Sequence, residues 1–394
     1  MDNPVERAQA LQPLVREHAD RSEQQRHLAP EVAQAFASQG LYRIAATPDC
    51  FGSAADPMTQ VQTIEAIAYA DGSAAWNLMI GIESFGLITP GFAKCLHLVE
   101  DPDVVLCSST AAVGRAEIVD GDPGGYRISG RWQFVSGCHN SHLFGATVSV
   151  YDNGEPVPEQ PNFYAMIQRP DFQILDTWHT GGLCGSGSHD VVVDDVWIPR
   201  EHLVLPLGAA KHAAPLLNFP LGSRLAYNKM GVAWGVTRAA IDAFVELAAG
   251  KMPRFSSRGL LHRPRAQRAV AEAEVRLRAG RALVLSELEA MWEKVQSQQR
   301  ISGVERALFQ LACSDSVRGC IDAVGLLVEA AGTSANHKDC LLERIMRDVR
   351  VVGQHTTVAP HNIEDAGRVL LGLPAQEMML GGPRPAPANR GGGG

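Results

Sequence analysis

The chain has 394 residues, of which 45% are hydrophobic and 20% are charged, values typical of a globular protein of two or three domains rather than a disordered chain. Its formal net charge of -8 argues against nucleic acid as a partner. The N-terminus is charged from its second residue, and no run reaches the roughly 18 apolar residues that a membrane helix needs. The sequence therefore predicts a cytoplasmic protein without membrane contact.

The cysteines and histidines do not predict a metal site. The chain has 8 cysteines, and none of them forms a C-x-x-C pair, so we expect reduced thiols rather than disulfides. Cys138, His139 and His142 are close in sequence, but successive side chains of a strand point to opposite faces, and no second ligand pair follows. We therefore predict that the protein binds no metal.

The first part of the chain, residues 1–103, is predicted to be a helical domain. Helices are expected over residues 4–40, from Asp56 to Ala70, and from Ser73 onward. Asp56 can cap a helix, and the proline after it suits the first helical position. Trp76 lies in the last of these helices, within DGSAAWNLMIG, and is interpreted either as a core residue or as part of a substrate pocket.

Residues 104–206 change to short strands separated by turn clusters such as DGDPGG, a pattern typical of a small antiparallel barrel or sandwich. In YRISGRWQFVSG, Gly130 is expected to separate two strands, the second with Trp132, Phe134 and Ser136 on one face. The other predicted strands are Val104 to Ser109, Leu143 to Tyr151, Phe163 to Arg169, Phe172 to Trp178 and His189 to Trp197.

A glycine-rich loop runs from Gly181 to Ser188, but it precedes a strand. A Rossmann fingerprint follows a strand and opens a helix. The loop therefore argues against a nicotinamide-binding Rossmann domain.

Residues 207–380 are predicted to form a four-helix bundle, with helices over Arg224 to Gly250, Gln267 to Gln296, Ser302 to Ala331 and Asp339 to His355. The second helix carries apolar residues at steps of three, four or seven, as in the seam of an antiparallel bundle: Val270, Leu277, Val284, Leu288, Met291 and Val295. Such seams often continue across a homo-oligomer interface. The Pro/Gly-rich tail, 381–394, is expected to be disordered.

The order of helical domain, small β domain and four-helix bundle resembles the acyl-CoA dehydrogenase superfamily, a mainly helical α+β fold. Three segments carry the resemblance: GYRISGRWQFVSG, similar to the strand beside the flavin, DTWHTGGLCGSGSHDVVVDDVWIP, similar to the end of the β domain, and ERIMRDVRVVGQH, similar to the last long helix. The three segments occur in the family's order and at suitable spacing, and the resemblance covers nearly the whole chain.

One departure from the dehydrogenases changes the expected reaction. The positions of that family's two alternative catalytic glutamates are occupied here by His355 and by a residue near Ser223, so the base for α-proton abstraction is missing. With Ser136 and DGSAAWNLMIG, this pattern resembles the group D two-component flavin monooxygenases. That resemblance implies reduced FAD or FMN from a separate NAD(P)H–flavin reductase, O2 activation as a flavin C4a-(hydro)peroxide, and oxygenation of a small aromatic or polycyclic metabolite by a dimer or tetramer.

The resemblance also implies roles for single residues. Ser136 would place a hydroxyl near flavin N5, and His355 would act as a base, protonate the peroxide or hydrogen-bond the flavin, helped by an ordinary pKa of about 6.5. Phe134 would pack on the isoalloxazine, and the backbone of Val135 and Ser136 would bond its polar edge. Ser109, at the end of the preceding strand, is a further flavin contact.

Three other residues are candidates. Arg254 and Arg258, in KMPRFSSRG, match the region from which dehydrogenases bind the flavin diphosphate, often across a subunit boundary, a role that suits guanidinium groups. Trp178 is a candidate for the substrate cavity. Arg347 and Asp348 are interpreted as a structural ion pair.

Alternative functions remain within and outside this family. The same fold supports oxidation of a CoA thioester by a dehydrogenase- or oxidase-like enzyme, or oxygenation of an amine or sulfur centre. A non-catalytic flavin- or acyl-binding protein would predict no oxygen chemistry.

Overall fold

The computed structural model describes residues 3–205 and 214–382. The helices and strands in those ranges are, in chain order, α1 (Pro4–Gln25), α2 (Pro30–Ser38), α3 (Pro57–Ala68), α4 (Gly72–Ile88), β1 (Leu106–Val119), β2 (Gly125–Trp132), β3 (Leu143–Asp152), β4 (Glu155–Pro156), β5 (Phe163–Gln168), β6 (Gln173–Leu175), β7 (Asp190–Pro199), β8 (Leu203–Val204), α5 (Leu221–Gly250), α6 (Pro264–Gln296), α7 (Gly303–Ala331), α8 (Leu341–Gln354) and α9 (His361–Leu370). This order confirms the predicted mainly helical α+β fold. The expected boundary at 206/207 and the tail from residue 383 lie outside the described residues.

The N-terminal helices begin where their caps predict. Asp56 accepts a hydrogen bond from the Thr59 N–H at 2.9 Å, which confirms the predicted start of α3. Helix α4 begins at Gly72, one residue before the expected Ser73, and Asp71 accepts a hydrogen bond from the Ala74 N–H at 2.7 Å. Helix α4 is buried on nearly all sides, as expected for a helix that is apolar around its whole circumference. It therefore forms the centre of the molecule.

The sheet has the strand order β6-β7-β2-β1-β3-β5-β8, and β4 pairs with β3. The expectation of a purely antiparallel sheet is wrong in one place, because β1 and β3 are parallel. The chain forms the antiparallel β1–β2 pair and then crosses back over residues 133–142 to add β3 on the other side of β1. That crossover carries Phe134, Val135 and Ser136.

The predicted two strands in residues 126–136 are also wrong. Strand β2 continues through Gly130 to Trp132, with an irregular register against β7 between Ile128 and Gly130. Gly130 is required there because a Cβ would lie 2.7 Å from the Trp132 ring. The chain turns after Trp132, and Phe134 has a φ of 58°, which ends the extended conformation.

Other strand ends differ from the expectation as well. Strand β1 does not stop at Ser109 but continues to Val119. The strand expected over Phe172 to Trp178 is reduced to β6, Gln173–Leu175. Trp178 therefore lies in the loop that leads to β7.

The bundle helices α5 to α8 match the predicted ones within a few residues. Ser302 and Glu305 form a capping box that begins α7, which favours this end of the helix. The predicted seam of α6 is buried at Leu277, Val284, Leu288, Met291 and Val295, and Val270 packs partly buried against the same core. The periodicity thus identified the buried face correctly.

The helical regions before and after the sheet share one hydrophobic core. Residues of α3 and α4 belong to the same buried cluster as those of α5, α6, α7 and α8, whereas the sheet has a smaller core of its own around Trp132 and Phe144. Within 3–205 and 214–382, no helix is both long and apolar enough to cross a membrane.

Candidate functional site

Ser136 lies in a buried hydroxyl cluster between the crossover and the loop before β7. Its Oγ accepts a hydrogen bond from Trp76 Nε1 at 3.1 Å and is 2.6 Å from Ser188 Oγ. Ser188 Oγ is in turn 2.7 Å from Ser186 Oγ. The backbone joins the two loops too, since the Gly137 N–H donates to the Ser186 carbonyl at 3.0 Å. The crossover loop is therefore bonded both to α4, through Trp76, and to the loop before β7.

The Trp76 indole determines how Ser136 can bond. An indole N–H only donates, so the Ser136 oxygen must accept from Trp76. If Ser188 donates to Ser136, the Ser136 proton is free for another acceptor, and if Ser188 accepts, that proton is used. The chain of three serines can therefore present either a donor or an acceptor at Ser136.

His355 follows the last residue of α8 and packs edge-on against the Trp76 ring, with ring centroids 5.4 Å apart and an interplanar angle of 70°. Its Nδ1 lies 2.9 Å from Thr357 Oγ1 and accepts from the Thr357 N–H at 3.4 Å. Because a backbone N–H can only donate, this bond favours the tautomer with the proton on Nε2. Trp76 thus joins Ser136 and His355 in one site.

The pKa of His355 is lowered to about 3, first by burial and then by the positive charge of Lys229. The expectation of an ordinary pKa near neutrality is therefore wrong, because burial disfavours the charged imidazolium. His355 is neutral at pH 7 and presents an N–H rather than a strong base.

Phe134 and Trp178 form an open aromatic corner beside the serine cluster. Their ring centroids are 6.2 Å apart at 87°, and Phe134 is 69% exposed although it is apolar. Trp178 is buried, and its Nε1 donates to the Leu183 carbonyl at 3.1 Å. An exposed aromatic face above buried hydroxyls fits the flat ring of a flavin.

The other expected flavin contacts in the crossover are less available. Val135 is fully buried, and its N–H donates to the His189 carbonyl at 3.0 Å. The Ser136 N–H donates to the Phe134 carbonyl at 3.0 Å. Neither N–H is therefore free to bond a flavin in this conformation.

Ser109 is buried within β1 rather than at its end. Its carbonyl accepts from Thr147 Oγ1 at 2.5 Å, and its Oγ accepts from the Ala111 N–H at 3.4 Å. Neither of these hydrogen bonds connects Ser109 with Ser136 or His355.

The structure does not bring Arg254 and Arg258 to this site. Both are exposed in the loop after α5, and neighbouring Lys251 bonds Ser334 Oγ at 2.6 Å, near the start of α8. His355 follows the other end of α8, whose 14 residues correspond to about 21 Å. The two arginines are thus at the opposite end of the bundle.

Arg347 and Asp348 are not paired with each other. Arg347 bonds Glu23 and Glu343 at 2.7 Å each. Asp348 accepts instead from the Leu183 N–H at 2.6 Å, which fixes the loop before β7 to α8. The interpretation as an ion pair is therefore wrong.

Cys138, His139 and His142 have partners other than a metal. Cys138 Sγ bonds the Gly187 carbonyl at 3.4 Å, His139 stacks on His27 at 4.2 Å, and His142 Nδ1 accepts from the Val105 N–H. In the described part of the chain, no cluster of three potential ligands is found.

Sequence reasoning missed a buried charged group next to the site. Lys229 Nζ bonds both carboxylate oxygens of Glu83, at 2.6 and 2.7 Å, and the lysine is only 1% exposed. Arg224, on the same helix, donates to the Gly86 carbonyl at 3.1 Å. Single charged residues in otherwise apolar helix segments, GIESFG and AYNKMGVAW, were the available signal, because such residues are rarely buried without a partner or a role.

Ser186, Ser188 and Asn77 were also missed. Asn77 Nδ2 donates to the carbonyls of Gly185 and Ser186 and so supports the loop that carries Ser188. The alternation of Ser186 and Ser188 with glycines in this loop was the available sequence signal for a chain of hydroxyl groups.

Comparison with known proteins agrees with this geometry. The family described as acyl-CoA dehydrogenase, C-terminal domain, matches residues 229–360. The chain is 30% identical to indole-3-acetate monooxygenase of Pseudomonas putida, over 92% of this chain and 93% of that protein. It is 28% identical to the oxygenase subunit HsaA, a flavin-dependent monooxygenase of Rhodococcus jostii, over 95% and 100% of the two chains.

A solved structure shows the same fold over nearly the whole length. The crystal structure of 3-HSA hydroxylase from Rhodococcus sp. RHA1 superposes with a TM-score of 0.85 at 25% identity, covering 96% of this chain and 99% of that one. The fold and the site thus define a flavin-dependent oxidoreductase. The chain belongs to the flavin monooxygenase branch of the acyl-CoA dehydrogenase superfamily, and it is a flavin-dependent monooxygenase.

Proposed function

We propose that this enzyme oxygenates a small aromatic metabolite, using FAD or FMN that a separate NAD(P)H–flavin reductase supplies in reduced form. The observation that carries the proposal is the contact of Trp76 with both Ser136 and His355, next to the exposed face of Phe134. The similarity to an indole-3-acetate monooxygenase and to an oxygenase subunit supports an aromatic substrate and a separate reductase. Reduced flavin, when bound, supplies the two electrons with which one oxygen atom of O2 enters the substrate and the other leaves as water.

In this proposal, Phe134 and Trp178 hold the flat cofactor by stacking and edge contacts. Ser136 offers its hydroxyl to the cofactor's polar centre, and Ser188 adjusts whether that hydroxyl donates or accepts. The buried state of Trp76, Ser136 and Ser188 keeps water away from the reacting atoms.

His355 acts in this proposal as a hydrogen-bond donor rather than as a general base. Thr357 donates to Nδ1, which leaves the proton on Nε2, and the pKa of about 3 keeps the ring neutral at physiological pH. A neutral imidazole N–H can bind a substrate or oxygen atom and hold its proton until transfer is needed. Deprotonation of the substrate by His355 is less favourable, because the imidazolium it would form is destabilised by burial.

The arrangement favours a monooxygenase over oxidation of a CoA thioester. Thioester oxidation needs a carboxylate base next to the substrate, and His355 and Ser223 stand at the two positions where the dehydrogenases carry one. Glu83 is a carboxylate near the site, but Lys229 bonds both of its oxygens. Oxygenation of an amine or sulfur centre uses the same residues and is distinguished only by its product.

Arg254 and Arg258 are proposed to bind the flavin phosphate of a second copy of the chain. Their loop is exposed and carries Phe255, which is 100% exposed, and Met252, which is 61% exposed. Apolar side chains this exposed are typical of an interface. We expect the enzyme to form a dimer or tetramer. Arg258→Glu, which reverses the charge, should weaken flavin binding. Phe255→Asp should lower the oligomeric state measured by analytical ultracentrifugation.

The test of the function is a product assay. The enzyme is mixed with O2, a flavin reductase, NADH and FAD or FMN, together with indole-3-acetate, resorcinol or other small aromatic compounds, and products are identified by mass spectrometry. A hydroxylated product from any of them agrees with the proposal. Hydrogen peroxide as the sole product with every aromatic compound, together with oxidation of an acyl-CoA ester, would favour the CoA alternative. No product of either kind, with oxygen consumed no faster than by reductase and flavin alone, would favour a non-catalytic protein.

A further inference from the structure

Leu183, in the loop before β7, is held in an unfavourable backbone conformation. Its φ is 48°, in the left-handed region that side chains other than glycine adopt only with tertiary support. The residue is buried, and its N–H donates to Asp348 Oδ1 at 2.6 Å. Its carbonyl accepts from Trp178 Nε1 at 3.1 Å. The conformation of Leu183 therefore depends on these two contacts.

The loop lies directly on the backbone of α8. A Cβ on Gly182 would lie 2.4 Å from the Arg347 carbonyl oxygen, and the Arg347 guanidinium bonds the Gly181 carbonyl. At this close approach the buried Asp348 side chain reaches the Leu183 N–H without an intervening group. Asp348 thus fixes the left-handed turn from outside the loop.

Leu183 connects Asp348 with the aromatic corner of the proposed site. An indole has a single N–H to donate, and Trp178 donates it to the Leu183 carbonyl. The Trp178 ring in turn stands edge-on to Phe134, with centroids 6.2 Å apart at 87°. A shift of Leu183 would therefore move the aromatic surface on which the flavin is proposed to lie.

The same carbonyl of Leu183 leads to the chain of three serines. It accepts a second hydrogen bond, from the Ser186 N–H at 3.0 Å. Ser186 Oγ lies 2.7 Å from Ser188 Oγ, which is 2.6 Å from Ser136 Oγ. The turn at Leu183 therefore also determines where the hydroxyl chain meets the crossover.

Helix α8 carries the other proposed catalytic side chain as well. Asp348 precedes His355 by seven residues, or about 10.5 Å along the helix axis, and His355 directly follows the last residue of α8. One helix thus presents the imidazole and, through Asp348, fixes the loop that carries Trp178 and Ser188.

We propose that Asp348 is a positioning residue for the reaction: its bond to the Leu183 N–H sets the Trp178 ring and the serine chain at the flavin. The inference rests on the proposed function, which places the flavin against Phe134 and Trp178. Asp348 touches neither flavin nor substrate in this account. Without its bond the turn relaxes, flavin binds less tightly, and reduced flavin more often passes its two electrons and two protons to O2 as hydrogen peroxide.

The test uses the full-length protein and two substitutions of Asp348. Asp348→Leu has a similar shape but no acceptor for the Leu183 N–H, whereas Asp348→Asn keeps an acceptor oxygen. The control is Asp56→Leu, because Asp56 also accepts a backbone N–H, that of Thr59 at 2.9 Å, and its loss should destabilise α3. Alanine at the same two positions serves if a leucine variant does not fold.

The first readout needs neither flavin nor turnover. The protein is labelled with 5-fluorotryptophan, and the ¹⁹F resonance of Trp178 is assigned from its absence in Trp178→Phe. We expect this resonance to shift or broaden in Asp348→Leu and to stay in place in Asp348→Asn and Asp56→Leu.

The second readout is the affinity for flavin and the fate of its electrons. Binding of reduced FAD and FMN is measured by calorimetry under nitrogen, and oxygenated product and hydrogen peroxide are measured together in the reductase-coupled assay with indole-3-acetate. Asp348→Leu should weaken flavin binding and lower the ratio of product to peroxide, each by about fivefold or more. Asp348→Asn and Asp56→Leu should stay within about twofold of the wild type in both quantities.

Three results would overturn the inference. They are an unchanged Trp178 resonance in Asp348→Leu, an equal loss in Asp348→Asn, which keeps the acceptor, and an equal loss in the control Asp56→Leu. A displaced Trp178 resonance with unchanged flavin affinity would support the positioning of the ring by Asp348 and contradict the proposed place of the flavin. A displaced resonance and weakened flavin binding in an enzyme that oxygenates no aromatic compound would support the inference and contradict the proposed reaction.

Discussion

Trp76 is the residue through which the two proposed catalytic side chains meet. Its indole N–H donates to Ser136, and its ring packs against His355. The sequence alone left open whether this tryptophan belongs to the core or to the site. In the structure, Trp76 is buried in α4 and also bonds Ser136 in the crossover loop.

Trp76→Phe tests the indole N–H without removing the ring. The variant leaves Ser136 with only its Ser188 partner, so we expect about a tenfold lower yield of oxygenated product and more hydrogen peroxide, because one hydrogen bond of this kind contributes about 1 kcal/mol or more. Product and peroxide are measured together in the reductase-coupled assay. Trp197→Phe, at a partly exposed tryptophan of β7, is the matched control, and equal coupling in both variants would contradict the role of Trp76.

The pH dependence of the reaction tests the state of His355. Since burial lowers its pKa to about 3, the ring should stay neutral from pH 5.5 to 8, and we expect no His355 ionisation in the rate of product formation over that range. His355→Ala should lower product formation at every pH while flavin binding, followed by fluorescence, is retained. A rate that falls below a pKa near 6.5 in the wild type but not in His355→Ala would contradict this account.

At the scale of elements, the site is built where one loop crosses between strands and one helix ends. Periodicity predicted the bundle helices and their buried seam, and the cap at Asp56 predicted the start of α3. Periodicity could not predict the turn after Trp132, because Phe134 adopts a positive φ that only its tertiary contacts explain. Alternation of apolar residues therefore suggested a second strand where the chain bends to place Ser136.

Sequence patterns also could not predict contacts between residues that are far apart in the chain. Ser136 and Ser188 are separated by 52 residues, and Glu83 and Lys229 by 146. No local pattern reports such pairs, so they were found only in the folded chain. Resemblance to a family indicated Ser136 and His355 but not the residues that orient them.

Asp348 in α8 gives a prediction at this scale. Burial and the neighbouring Asp71 carboxylate raise its pKa to about 7. A raised pKa in the folded state means that its contribution to stability is complete below about pH 4 and is lost as the pH rises towards 7. Asp348→Asn keeps an oxygen for the Leu183 N–H and cannot ionise, so its melting temperature should exceed that of the wild type by a few degrees at pH 8 and be similar at pH 5.

Thermal unfolding at both pH values measures the effect. Asp315→Asn, at an exposed aspartate on α7 that bonds Arg318, is the control and should show little change with pH. If Asp348→Asn instead lowers the melting temperature by the same amount at pH 5 and at pH 8, the prediction is wrong. The Asp348 carboxylate would then be charged, and needed in that form, at both pH values.

At the scale of the whole molecule, one continuous core joins the helices before and after the sheet, and the sheet lies against it with its own core. The crossover loop, the end of α8 and the centre of α4 meet at this junction. The proposed site is therefore assembled from all three regions of the chain.

The central claim is that this protein transfers an oxygen atom from O2, and isotope labelling tests it most directly. The enzyme is supplied with reduced flavin, an aromatic acid such as indole-3-acetate and ¹⁸O2, and the product is analysed by mass spectrometry. We predict a product that carries one ¹⁸O atom, and loss of this labelled product in His355→Ala. Aromatic compounds recovered unchanged, with all of the label in hydrogen peroxide, or a hydroxylated product whose oxygen comes from water, would contradict the account.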